Sequence, residues 1–94
     1  MSSYSIVIPL YNEENNIEKL INEIKFSLLD KFNFEIILVN DGSLDNTLHK
    51  IKELIKKNDA LKIFFIDNKK NMGQSYSIFA GIKKSNYNEI ITID

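Results

Sequence analysis

Residues 35–47 read EIILVNDGSLDNT. Glu35 and four apolar residues run into Asn40, and then an acid, a glycine and a mainly polar row follow. A near-continuous apolar run of this length fits a strand buried on both faces, as in a parallel sheet. Asp41-Gly42 supplies turn residues, and Ser43 or Asp45 can cap a following helix. The stretch thus reads as strand, turn and helix start. Its polar part is either an ordinary connection or one wall of a binding site.

The same punctuation recurs on both sides. YSIVIP (4–9) and LKIFFID (61–67) read as strands, as do FEIILVN (34–40) and EIITID (89–94). Between them, 14–31 carries Ile17, Leu20, Ile21, Ile24 and Leu28 at helical spacing, with Asn12 as N-cap and Glu13 and Glu14 near the first turn. A second helix over 45–58 places Leu44, Leu48, Ile51 and Ile55 on one face, and His49 falls off that stripe. A third over 73–85 has Ile78, Phe79 and Ile82 as its inner face. The order β-α-β-α-β-α-β predicts an α/β fold: a parallel sheet with helices on its faces. Right-handed crossovers favour a Rossmann-like half with strand order 3-2-1-4.

Ligands of such sheets bind beyond the carboxyl ends of the strands, at the switch point between the first and fourth. That rule selects Pro9, Tyr11, Asn12 and Glu13, then Asp41 to Ser43, then Asp67 to Gly73, then Asp94. Glu13, Asp41, Asp67 and Asp94 form an acidic rim, with Lys69 and Lys70 nearby. Hard oxygen ligands suit a divalent cation, which would bridge the rim to a phosphorylated ligand. Without it, each pair of unit charges at ~4 Å and an effective dielectric of ~20 repels by roughly 4 kcal/mol. A carboxylate accepts hydrogen bonds only, so Asp41 can read a ring N–H of a base, and Tyr11 can offer that base a flat face.

Composition narrows the alternatives. The chain has 94 residues, room for one domain, with 44% hydrophobic and 27% charged residues and a net charge of -1. No basic footprint points to nucleic acid. There is no cysteine, so disulfides and thiol nucleophiles are excluded. No run has the length of a signal peptide or a membrane span. The expected location is the cytoplasm, or the cytoplasmic face of a membrane for a longer parent. A phospho-receiver domain gathers two acids after its first strand, where this chain has Pro9-Leu10-Tyr11. A nucleotidyltransferase is disfavoured because no glycine-rich phosphate loop follows that strand.

Read together, SIVIPLYNEENNI, EIILVNDGSLDNT, NKKNMGQSYSIFAGIKKS and EIITID resemble the four opening motifs of the glycosyltransferase family 2 enzymes with the GT-A fold. The Asn-Glu after Pro-x-Tyr is similar to that of polyprenyl- and dolichol-phosphate sugar transferases. The resemblance covers the whole chain. It implies a nucleotide-binding half, residues 1–94, ending where the family's D-x-D motif begins. It implies that Pro9, Tyr11 and Glu13 line the nucleotide pocket and that Val39 and Asp41 contact base and ribose. Gly73 would allow close approach of the ligand. Asp94 would sit by the ribose and the metal-bound diphosphate as a metal ligand. The implied donor is a UDP- or GDP-sugar with Mg2+ or Mn2+, the acceptor being unspecified. Asn40 departs from the family, where many members have a first Asp. The second acid of D-x-D and the acceptor half are absent, and no catalytic residue is assigned. The chain is expected not to transfer sugar alone, and a bare fourth-strand edge implies self-association. A non-catalytic nucleotide-binding module, or an inactive fragment, is the alternative.

Overall fold

In the computed structural model, which describes residues 2–94, the elements follow the expected order. They are β1 (Ser3–Leu10), α1 (Ile17–Leu28), β2 (Asn33–Asp41), α2 (Thr47–Lys57), β3 (Lys62–Asn68), α3 (Gln74–Lys84) and β4 (Glu89–Thr92). The sheet has the order β3-β2-β1-β4 and every pairing is parallel. Register places Leu10 beside Asn40 and Asn40 beside Asp67, so the carboxyl ends of β1, β2 and β3 line up.

The sheet is covered unequally. On one face Ile6, Ile8, Ile36 and Leu38 pack under Ile17, Ile21 and Ile24 of α1 and Ile51 and Leu54 of α2. Burying each such aliphatic side chain stabilises the fold by about 1.5–3 kcal/mol. On the other face Val7, Ile37 and Val39 form a smaller cluster beneath α3. Here α3 presents Ser77 and Gly81, both buried, and not the expected Phe79 and Ile82, which are 61% and 41% exposed. A Cβ at Gly81 would lie 2.4 Å from Val7 Cγ1, so the helix sits too close to the sheet for a large residue there.

Two further expectations shift for local reasons. α1 begins at Ile17 because Asn12 has a left-handed φ of 54° and residues 13–17 form a turn closed on the Glu13 carbonyl. Leu44 precedes α2 and is exposed, so Thr47, Ile51 and Leu54 make its buried row. His49 is on the surface, as the stripe implied. Among the described residues no helix is long and apolar enough to cross a membrane.

Candidate functional site

The carboxyl ends of the strands carry three loops, and side-chain hydrogen bonds join them. The loop after β1 is fastened to the loop after β2. The Asn12 N–H donates to Ser43 Oγ at 3.0 Å, and the Leu44 N–H donates back to Asn12 Oδ1 at 2.8 Å. The Glu13 N–H donates to Thr47 Oγ1 at 2.9 Å, and the Glu14 N–H reaches Asp45 Oδ2 at 3.4 Å. The other oxygen of Asp45 accepts from the Thr47 N–H and hydroxyl, which start α2. The polar residues of the DGSLDNT turn therefore both cap a helix and hold the neighbouring loop.

The loop between β3 and α3 is fastened by Asp41. Its Oδ1 accepts from the Met72 N–H at 2.7 Å and Asn68 Nδ2 at 3.1 Å. Its Oδ2 accepts from the Gly73 N–H at 3.0 Å and Asn71 Nδ2 at 3.1 Å. Burial alone would push this carboxyl up, but the N–H donors outweigh it and hold the group below the usual aspartate range. Gly42 completes the seat. Its φ is +67°, and a Cβ would come within 2.3 Å of Lys70 and Asn71 backbone atoms.

Between these loops and α1 opens a cleft of about 740 Å³. Pro9, Tyr11, Glu13, Asp41, Gly73 and Asp94 line it, so six of the seven sequence-selected residues meet in one place. Tyr11 is 45% exposed at the mouth, with its ring available for stacking. Gly73 adopts φ 98°, a conformation that other residues rarely enter, with no atom crowding the position a Cβ would take. Asp94 accepts a hydrogen bond from the Gln74 side-chain amide.

Three of the selected residues are engaged by the protein itself. Val39 is fully buried under α3, because it shares the sheet face of Val7 and Ile37, and its side chain does not reach the cleft. Asp67 lies outside the cleft. β3 is the strand farthest from β4, and the carboxylate is engaged by Asn40 Nδ2 at 2.9 Å and Lys69 Nζ at 3.1 Å. Asp41 lines the cleft, and its carboxylate accepts from four protein donors.

The sequence reading also missed the α1 wall, where Asn16, Lys19 and Glu23 face the cleft. Their spacing along one flank of the helix, beside its apolar stripe, was the available signal. With Glu13, Glu23 and Asp94 against Lys19, the exposed lining favours a cation or a metal-bound anion. Among the described residues no three His, Cys, Asp or Glu side chains cluster to cage a metal. Mg2+ is commonly held by one or two carboxylates with the substrate's phosphates completing the shell, and Asp94 suits that part.

A family model described as Glycosyl transferase family 2 matches residues 5–94. An uncharacterized glycosyltransferase of Synechocystis sp. is 41% identical over 91 residues, covering 96% of this chain and 28% of the relative. An undecaprenyl-phosphate 4-deoxy-4-formamido-L-arabinose transferase of Pseudomonas fluorescens is 35% identical over 91 residues, covering 96% and 26%. A solved mannosyltransferase from Pyrobaculum calidifontis, in complex with GDP-Man and Mn2+, superposes with a TM-score of 0.78 at 19% identity, covering 88% of this chain and 24% of that one. S. aureus TarS 1-349 in complex with UDP gives 0.75 at 23% identity, covering 99% and 27%. The chain thus spans under a third of the length of these relatives. From its four motifs, its strand order and the match over residues 5–94, the chain belongs to glycosyl transferase family 2.

Proposed function

We propose that this chain binds the nucleotide part of a UDP- or GDP-sugar in the cleft beside Tyr11 and Asp94, as the donor half of a larger sugar-transferring domain. The observation that carries this reading is the convergence of Pro9, Tyr11, Glu13, Gly73 and Asp94 on one cleft at the switch point of the sheet. The relatives with bound GDP-Man and UDP support the donor class. The undecaprenyl-phosphate transferase supports a polyprenyl phosphate as acceptor class. On this reading Tyr11 stacks on the base, Pro9 and Glu13 shape the wall behind it, and Gly73 lets the backbone approach the ligand. Asp94 is the chain's ligand to Mg2+ or Mn2+, whose charge would offset the diphosphate against the acidic lining. No group in the cleft is placed as a general base, and this half alone does not transfer sugar.

Titration calorimetry with UDP and GDP, with and without Mn2+, tests the reading. Expected is metal-dependent binding of one nucleotide, lost in Asp94→Ala and weakened about tenfold or more in Tyr11→Ala, in keeping with ~1–3 kcal/mol for base stacking. No binding of either nucleotide, or binding indifferent to both substitutions, would refute it.

Self-association belongs to the same reading. β4 is an edge strand of four residues with Ile91 exposed, and an unpaired edge recruits strands. Sedimentation velocity is expected to show concentration-dependent growth; a single monomeric boundary at high concentration would count against it.

A further inference from the structure

Charge is spread unevenly over this chain. Residues 68–88, which form the loop before α3, α3 itself and the turn after it, hold four lysines and no acid. The other positions hold eight lysines and all thirteen acids. The basic segment is also apolar. α3 turns Ser77 and Gly81 to the sheet and carries Tyr76, Phe79 and Lys83 outward at spacings of three and four, with Ile82 beside them. Phe64 of β3 adjoins this ridge, because it shares with Ile66 the sheet face that α3 covers. Tyr76, Phe79, Ile82 and Phe64 are 39–61% exposed. None of them lines the cleft.

The lysines are seated on the rings. Lys83 Nζ lies 5.6 Å from the centre of the Phe79 ring, and Lys84 Nζ lies 6.0 Å from that of Phe64. Lys62, two residues before Phe64, donates from Nζ to the Tyr87 hydroxyl at 3.4 Å. Among the described residues, none of these three ammonium groups forms an ion pair with a carboxylate, whereas Lys50, Lys57 and Lys69 do. A flexible stem that lays its ammonium over a ring makes one amphipathic unit, apolar at the base and charged at the tip. Such units match the boundary of a bilayer, where rings enter the acyl edge and lysines reach anionic headgroups. A second copy of this chain matches poorly, because a two-fold contact through α3 would set Lys83 and Lys84 against their own copies. Nucleic acid is disfavoured by the overall charge of -1.

We propose that the outer side of α3 and the adjoining Phe64 form a docking face for a bilayer bearing anionic lipids, with Tyr76 and Phe79 entering the interface and Lys62, Lys83 and Lys84 reaching the headgroup phosphates. The contact is peripheral and reversible. It lies apart from the cleft and does not rest on the donor-binding reading.

Cosedimentation of the full 94-residue chain with vesicles tests it, using phosphatidylcholine alone and an equal mixture with phosphatidylglycerol. Binding is expected to the mixed vesicles and not to phosphatidylcholine alone, and it should weaken as salt shortens the reach of the charges. The double substitution Lys83→Gln with Lys84→Gln should weaken it about twentyfold, at roughly fivefold per lysine. Phe79→Gln should weaken it about fivefold or more, and the exposure of Phe79 leaves the fold intact. Failure to bind mixed vesicles overturns the proposal and would leave an acidic protein surface as the partner of this face. Binding that ignores Phe79→Gln also overturns it, since charge alone would then hold the chain.

A second measurement needs no variant. In NMR spectra with a spin-labelled lipid in the mixed vesicles, the amides of residues 62–64 and 76–84 should broaden while those of residues 17–28 in α1 stay sharp. Broadening centred on α1 would place the contact on the other side of the sheet and refute the assignment. Nucleotide binding by the Lys83, Lys84 and Phe79 variants should equal that of the unsubstituted chain. If no nucleotide binds at all, the donor-binding reading fails while the vesicle results still decide the docking face.

Discussion

At the residue scale, Asn40 shows how one atom type sets the chemistry of the rim. Its amide donates to Asp67 Oδ1 at 2.9 Å, and its own Oδ1 is buried with no protein partner. Asn40→Asp would remove the donor and set a second carboxylate against Asp67. Two carboxylates in contact do not both ionise easily, so one pKa rises in the folded state. A raised acid disfavours folding above its unfolded pKa and ceases to do so below it. Urea unfolding of Asn40→Asp is expected to show a loss of about 1–3 kcal/mol at pH 7, shrinking as pH falls toward about 4 and gone below it. Equal stability at pH 7 would sink the argument. The neighbouring positions mark the limit of sequence reading. Position after a strand placed Asp41 on the rim correctly. Whether its oxygens were free depended on donors some thirty residues away, at Asn68 to Gly73, which no local pattern reveals. Val39 was assigned a ligand contact by resemblance alone. In a strand buried on both faces, alternation does not separate a pocket residue from a core residue.

At the element scale, α3 is held by what it lacks. A methyl group at Gly81 would lie 2.4 Å and 3.3 Å from the two Val7 methyls and 3.4 Å from Val39 Cγ2. Alanine favours a helix by about 1 kcal/mol over glycine. Overpacking a tight contact costs about 1–3 kcal/mol, and the contact at 2.4 Å puts this case at the upper end. Gly81→Ala is therefore expected to lower the melting temperature by several degrees in a scanning calorimeter, at ~4–8 °C per kcal/mol for a domain this size. A raised melting temperature would show that the helix can lift off the sheet freely. The helices were legible from their periods and the strands from their apolar runs. The inner face of α3 was not, because periodicity follows large apolar residues. Close approach instead selects small ones such as Ser77 and Gly81. The start of α1 was missed because Asn12, a good cap residue, is used to bind the Ser43–Leu44 turn.

At the scale of the whole molecule, buried carboxylates fasten both ends of the sheet. Asp41 does so at the ligand rim. At the opposite end Glu35, 1% exposed, accepts from Ser5 Oγ at 2.6 Å and from the Asn86 backbone and side chain at 2.7 and 2.8 Å. Burial would push Glu35 up as it would Asp41, but the Asn86 and Ser5 donors outweigh it and both carboxyls sit below their ordinary values. A lowered acid stabilises the fold above its unfolded pKa, near 4, and that contribution is lost as pH falls through the folded value. Urea midpoints should hold steady from neutral pH to about pH 5 and then fall, with a shallower fall in Glu35→Gln. A midpoint that stays level down to pH 2 would contradict this.

The pairing of β4 with β1 joins residues 89–92 to residues 4–7, almost the two ends of the chain. No neighbouring strands of this sheet are adjacent in sequence without a helix between them, and this pair is the most distant. Chain entropy must be given up before such a contact returns anything, so topology of this kind folds slowly. β1, β2 and β3 with their two covering helices can collapse first. β4, short and paired on one side, is expected to dock after them, with Asn86 held on Glu35 at its start. The strand that brings Asp94 to the cleft would then also be the last piece of the sheet in time, and the cleft would be complete only when folding is.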